Sequence, residues 1–396
     1  MAEEALAEQI RRAWPHVLGS LVRAYGRVEL AEDCLQEACA RALTAPDVRD
    51  PAAWIATVAR RLMLDEFRRE AVRTRHAASL VASGTAAPLD AASLTGDDRL
   101  DLLVLACHPA LPPAARMPLA LRFVLGASTE AIADAFLVAH PAMSARLTRA
   151  KRRLDAEGRR FKQPSLRHRD EVLQVVSVLY TLGHTAPSGA RLGGDDDRTT
   201  ALELARAAAR AWPEAAEATA LLALLLLTEA RVPGRTNAAG RVATLRDADR
   251  SRWNRSMIDE GLALATRVLP TMGQFALQAG IAGLHSSASS WHDTDWTAIE
   301  RLYDRLIERW PSPGARIARA VAVGYGPAGA VAGLAALAEI VPGAGAAARQ
   351  HAAARADLLR RSGRTHEAKA AYLEARTLER NAVLQNFLDV RLAELA

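Results

Sequence analysis

The chain has 396 residues and a formal net charge of +6; half of its residues are hydrophobic and only 5% are aromatic. That length exceeds one compact core and points to two or three domains, while the dominance of Ala and Leu favours helices. The basic balance permits an acidic partner such as nucleic acid, and three cysteines, Cys34, Cys39 and Cys107, make no disulfide framework and suit reduced thiols in a cytoplasmic protein.

Residues 1–8 carry acids and no apolar run, so no signal peptide is expected. From there on almost every periodic segment has the helical period. No stretch of alternating β-branched residues stands out, and an all-α fold is expected. Residues 31–43, AEDCLQEACARAL, place Asp33 and Glu37 four apart on a solvated helix face within reach of Arg41. In residues 50–70, DPAAWIATVARRLMLDEFRRE, the side chains of Trp54, Ile55, Val58, Leu62 and Phe67 fall close to one face. Residues 77–96 are rich in Ala, Ser, Gly and Thr around Pro88 and read as a flexible linker.

Residues 128–153 are the most informative. Ser128 or Thr129 can cap a helix running through Ala131, Ile132, Ala135 and Phe136. A second helix starts near Pro141, where a missing N–H costs nothing. Met143, Leu147, Ala150 and Leu154 share one face of it and must pack inward. The opposite face carries Ala145, Arg149 and Arg152, flanked by Arg146, Thr148 and Lys151. A short helix, a tight turn and a basic second helix make a helix-turn-helix sized for a major groove. First-turn side chains, Ser144 and Ala145, would reach base edges, and the later cations would meet phosphates. A solvated basic helix on an ordinary bundle has the same pattern, so spacing alone leaves both readings open.

Residues 158–169, polar and basic around Pro164, read as a second joint. The expected organisation is therefore a module at 1–75, a linker at 76–97, a helix-turn-helix module at 98–157, the joint at 158–169 and a large helical module at 170–396. Within the last, residues 185–197, with several glycines and Asp195, Asp196 and Asp197, read as an exposed loop. Residues 218–227 are the most apolar run; too short to span a bilayer, they read as a buried core helix. Trp212-Pro213 and Trp310-Pro311 each end a helical run and mark candidate repeat boundaries. Residues 354–378 read best as a repeat hairpin, with Gly363 at its turn. His285, His292, Asp293 and Asp295 have metal-ligand character but match no recognised spacing, and Thr294 or Asp295 can simply cap the next helix. Cys107-His108 has no second pair at zinc-finger spacing. With no Walker loop, nucleophile elbow or dinucleotide fingerprint, no enzyme, cofactor or metal is expected.

Four stretches, taken in order, resemble one family. Residues 31–43 and 50–70 are similar, in order and spacing, to the polymerase-binding and promoter-melting helices of extracytoplasmic-function sigma factors. Residues 107–138 and 142–154, the latter AMSARLTRAKRRL, resemble the second DNA-binding domain and its recognition helix. Residues 247–264, 293–306 and 354–375 resemble the tetratricopeptide-like extension of a subgroup of that family. The resemblance implies two small helical sigma domains joined by a flexible linker and followed by a helical repeat domain.

The resemblance also implies roles. Asp33, Gln36 and Glu37 match the face that grips the β′ clamp helices of core RNA polymerase. Trp54, Arg60, Asp65, Arg68 and Arg69 match positions near the downstream promoter element and its melted strand, together with Arg61, which stands where many relatives have asparagine. Arg146, Arg149, Lys151 and Arg152 match the helix that reads the upstream element. For Trp54 the apolar position favours core packing over base stacking. After Tyr180 the segment TLGHTAPSG departs from the subgroup. The implied partners are core polymerase, at the β′ clamp and β flap, and promoter DNA. The extension would dock within the chain or bind another protein, and no membrane is involved. The competing readings are a stand-alone helix-turn-helix regulator with a C-terminal sensor, a helical scaffold, and a metal-dependent hydrolase.

Overall fold

The computed structural model describes residues 2–45, 49–75, 95–136, 138–157, 166–186, 188–237, 241–343 and 345–395. Among them every regular element is helical, with only two isolated β-bridges. The chain divides into two compact units, Met1–Val175 and Val176–Ala396. Of the expected linker and joint, residues 76–94 and 158–165 lie outside the described residues.

The first unit holds α1 (Ala2–Tyr25), α2 (Val28–Thr44), α3 (Pro51–Arg75), α4 (Asp98–Ala106), α5 (Pro113–Leu125), α6 (Thr129–Phe136) and α7 (His140–Glu157). The unit boundary falls inside α8 (Leu166–His184). Helices α1 to α3 pack on one another through Leu18 and Leu21, through Ala31, Leu35, Ala38 and Ala42, and through Ile55, Ala59 and Met63. The buried stripe of α3 thus steps i, i+4, i+8 from Ile55. Val58, Leu62 and Phe67, expected on the inward face, lie half-buried on its flank.

Asp97 caps α4 by accepting from the Arg99 and Leu100 amides, and Gly126 ends α5 in the left-handed region. The turn into α7 keeps Pro141 in the first helical turn, and Met143, Leu147, Ala150 and Leu154 are all buried, as their spacing requires. The first half of α8 stays with this unit. Glu171 pairs with Arg116 of α5 at 2.6 Å, and the His168 ring lies edge-on to His108 at 6.4 Å.

The second unit continues with α9 (Asp195–Ala211), α10 (Ala216–Glu229), α11 (Arg255–Val268), α12 (Gln274–Ser287), α13 (Trp296–Arg309), α14 (Pro313–Tyr325), α15 (Gly329–Ala338), α16 (Ala346–Arg361), α17 (Thr365–Leu378) and α18 (Ala382–Ala393). Antiparallel pairs α10/α11, α12/α13, α14/α15 and α16/α17 stack in chain order, with α10 against α12 and α14 against α16. This is a tetratricopeptide-like stack. Residues 218–227, buried almost throughout, form its apolar heart.

Trp212 and Trp310 end α9 and α13 with nearly the same backbone, φ −129° with ψ 63° and 68°, which makes them equivalent repeat positions. Gly363 turns between α16 and α17 at φ 76°. One expectation is corrected: residues 195–197 are not loop. The three aspartates form the first turn of α9, where the helix dipole favours acids.

The stack is closed by its last helix. Buried Asn381 donates through Nδ2 to the carbonyls of Ala186 (3.1 Å) and Arg191 (2.8 Å), and its Oδ1 caps α18 at Val383 and Leu384. The Ala382 amide donates to Gly189 at 2.9 Å.

Candidate functional site

Helix α2 presents Asp33, Gln36 and Glu37 to solvent. Glu37 pairs with Arg41 at 2.8 Å, one turn on, and Gln36 donates to Glu32 at 2.8 Å. Partial burial raises the Asp33 pKa, opposed by the charge of Lys151 and reinforced by Glu32 and Glu29.

Helix α3 turns Arg60, Arg61, Asp65, Arg68 and Arg69 outward, while Trp54 is half-buried. Arg68 pairs with Asp65 and Arg69 with Glu66, both at 3.0 Å. Such exposed pairs are worth at most a few tenths of a kcal/mol, so a phosphate can displace them at little cost.

Helix α7 exposes Ser144, Ala145, Arg149 and Arg152, with Arg146 half-buried. Lys151 does not face solvent with them. Its ammonium reaches Glu32 of α2 at 3.0 Å, and Arg122 of α5 meets the same carboxylate at 2.5 Å. The Glu32 side chain is only 1% exposed, against 12% for Lys151 and 14% for Arg122. Arg152 pairs with Glu29 at 3.5 Å.

Helix α2 begins at Arg27 without a side-chain cap of its own. Asp155 of α7 supplies one, accepting from the Val28 amide at 2.6 Å and the Glu29 amide at 3.4 Å. The structure therefore joins two expected sites, the acidic helix α2 and the basic helix α7, through three residues the sequence reading missed: Glu32, Arg122 and Asp155. A second clasp lies beside them, where Arg23 of α1 meets Asp98 of α4 at 2.6 Å and Asp101 at 3.5 Å. The α3 cluster takes no part in this junction.

Among the described residues no group of three or more His, Cys, Asp or Glu could hold a metal ion. Asp295 caps α13 through the Ala298 amide at 2.8 Å, and Asp293 accepts from Ser289 and Ser290. Burial raises the thiols of Cys34 and Cys39 to about 11 and that of Cys107 to about 12. Among the described residues no helix is long and apolar enough to cross a membrane.

Comparison with known proteins places families along the chain. Residues 10–73 match Sigma-70 region 2, residues 101–154 match Sigma-70, region 4, and residues 168–269 match a family of unknown function, DUF6596. An uncharacterised protein of Rhizobium meliloti (strain 1021) is 37% identical over 404 residues, covering 97% of this chain and 94% of that protein. The crystal structure of the yeast Tom70 aligns with 99% of this chain and 84% of its own at a TM-score of 0.36 and 12% identity, a likeness too loose to carry a fold argument.

Proposed function

Because the chain belongs to the extracytoplasmic-function type of sigma factor with a C-terminal extension, which serves RNA polymerase in promoter recognition, we propose how its two small domains divide that work. The module at 1–75 binds core polymerase through Asp33, Gln36 and Glu37 at the β′ clamp. It opens the downstream element with Trp54, Arg60, Arg61, Asp65, Arg68 and Arg69. The module at 98–157 sits at the β flap and reads the upstream element, with Ser144, Ala145, Arg146 and Arg149 at base edges and Lys151 and Arg152 toward phosphates. The protein works in the cytoplasm, by binding and without chemistry of its own.

One observation carries this reading: α7 is the second helix of a helix-turn-helix, with a buried apolar seam and an outward row of arginines. The same helix is held by Glu32 against α2, so the described arrangement is a resting form. Engaging polymerase and a promoter together requires that clasp to part and Lys151 to exchange a carboxylate for a phosphate. Promoter-directed run-off transcription with purified core polymerase tests the reading; no promoter-dependent product would refute it.

The extension sets the activity of the sigma domains within the chain. A short tether gives an effective concentration up to the millimolar range, enough to populate weak docking. Truncation after Val175, which keeps the Glu171 that pairs with Arg116 of α5, tests this in the same assay. A strong gain or loss of transcript supports action in cis, and wild-type transcript from the truncated protein rules it out.

A further inference from the structure

The connection between α10 and α11 brings three arginines together inside the second unit. Arg231 folds back on α10, donating through Nε to the Leu227 carbonyl at 3.1 Å. Arg235 reaches the end of α8, donating to the His184 carbonyl and to Thr185 Oγ1. Arg250 crosses to the end of α12, donating to the carbonyls of His285 (3.0 Å) and Ala288 (2.6 Å) with its guanidinium 4.6 Å over Trp253.

Carboxylates nearby are already engaged. Glu229 is bound by Arg198 at 3.0 Å and by the Tyr180 hydroxyl at 2.9 Å, and Asp195 is bound by Arg198 at 2.9 Å. Among the described residues no carboxylate lies within ion-pair distance of Arg231, Arg235 or Arg250. Donors are left over as well. Among the described residues Arg250 Nη2 and His285 Nδ1 are buried without a hydrogen-bond partner, and the Arg231 guanidinium donates through Nε alone.

Burial lowers the Arg231 pKa to about 10, with Arg250 and Arg235 adding to the effect, and lowers that of His285 to about 3. At neutral pH the arginines are therefore charged and the imidazole is neutral, with a ring N–H available to donate in one tautomer. The three arginines are half-buried, and although Asp293 and Glu229 act on Arg250 and Arg235 from a distance, no carboxylate contacts them, so their charge is only partly compensated. A guanidinium fork matches the two oxygens of a carboxylate or phosphoryl group.

We infer that Arg231, Arg250 and His285 form a binding site for an oxyanion, the carboxylate or phosphoryl group of a ligand taken up by the extension. The site stands apart from the sigma reading, since it neither requires DNA nor polymerase.

The test is thermal unfolding of the full chain followed by tryptophan fluorescence, to which Trp212, Trp253, Trp291, Trp296 and Trp310 of the second unit contribute. Inorganic phosphate and acetate are compared separately with chloride at matched ionic strength. A ligand group at tenfold its dissociation constant raises the midpoint by about 3–6 °C. A rise with phosphate alone assigns a phosphoryl site, and a rise with acetate assigns a carboxylate site. Arg231→Met should abolish the rise while melting in chloride no lower than the unsubstituted protein, because it removes a half-buried charge that no carboxylate contacts. His285→Phe, which deletes no hydrogen bond and keeps a ring against Trp296, should halve the rise or more. The inference is overturned if neither anion shifts the unsubstituted protein. It is equally overturned if both variants keep the full rise, or if Arg231→Met lowers the midpoint in chloride, which would make the arginine structural.

Discussion

Replacing Glu32 with glutamine preserves its size and an oxygen for Gln36 but removes the charge that Arg122 and Lys151 share. The carboxylate is 1% exposed and its partners 14% and 12%, with contacts of 2.5 and 3.0 Å. Removing one member of such a buried group costs about 3–5 kcal/mol when the remaining charges stay buried. Here they need not stay buried, because parting α2 from both α5 and α7 returns Arg122 and Lys151 toward water. The loss therefore falls on the closed arrangement alone. At about 3 kcal/mol it shifts the closed-to-open ratio roughly a hundredfold. Two measurements check this: the distance between spin labels on α2 and α7, which should lengthen, and affinity of the free protein for upstream-element DNA, which should rise as Lys151 is released. Glu37→Gln, on the exposed face of the same helix and paired only with Arg41 among the described residues, is the control and should leave the distance unchanged. If Glu32→Gln leaves both the label distance and the DNA affinity within twofold of the unsubstituted protein, the clasp does not hold the resting form.

Reversing Asp33 and Glu37 to lysine should abolish co-purification with core polymerase at unchanged helicity; retained binding would count against the α2 face. Arg146→Ala or Arg149→Ala should weaken upstream-element binding by about 1–3 kcal/mol and relax preference at one base position if the contact is to a base. Uniform weakening across sequences, with a flatter salt dependence, would reassign that arginine to the backbone. Asp155→Ala removes the cap on α2 and should destabilise the first unit by about 1 kcal/mol, seen as a lower urea midpoint; an unchanged midpoint would mean that water serves the two amides as well as the carboxylate does.

The inward seam of α7 was legible because helical spacing alone decides which of its residues are buried. In α3 the same logic slipped by one position: Val58 and Leu62 outrank Ala59 in apolar size, yet the buried stripe runs through Ile55, Ala59 and Met63. Glu32 was not legible at all. Locally it is one more acid on a polar helix, and its burial depends on Arg122 and Lys151, 90 and 119 residues away in the chain. Asp155 escaped for the same reason, as a cap supplied from 127 residues away leaves no local signature. The aspartates at 195–197 misled because glycines before them suggested a loop, although acids in a first helical turn have a physical reason to be there. Trp212 and Trp310 were readable, since the proline after each forbids the helix to continue.

The link from Asn381 to Ala186 joins residues 195 positions apart. During synthesis, at about 5–20 residues per second, that interval takes roughly 10–40 s. Helices α1 to α7, and the Glu171 that pairs with Arg116 of α5, are complete before it begins. Each newly translated molecule thus passes through a period in which its first unit exists beside an unclosed stack. Whatever the extension imposes on transcription reaches the nascent protein late, and a cell that slows translation lengthens that interval.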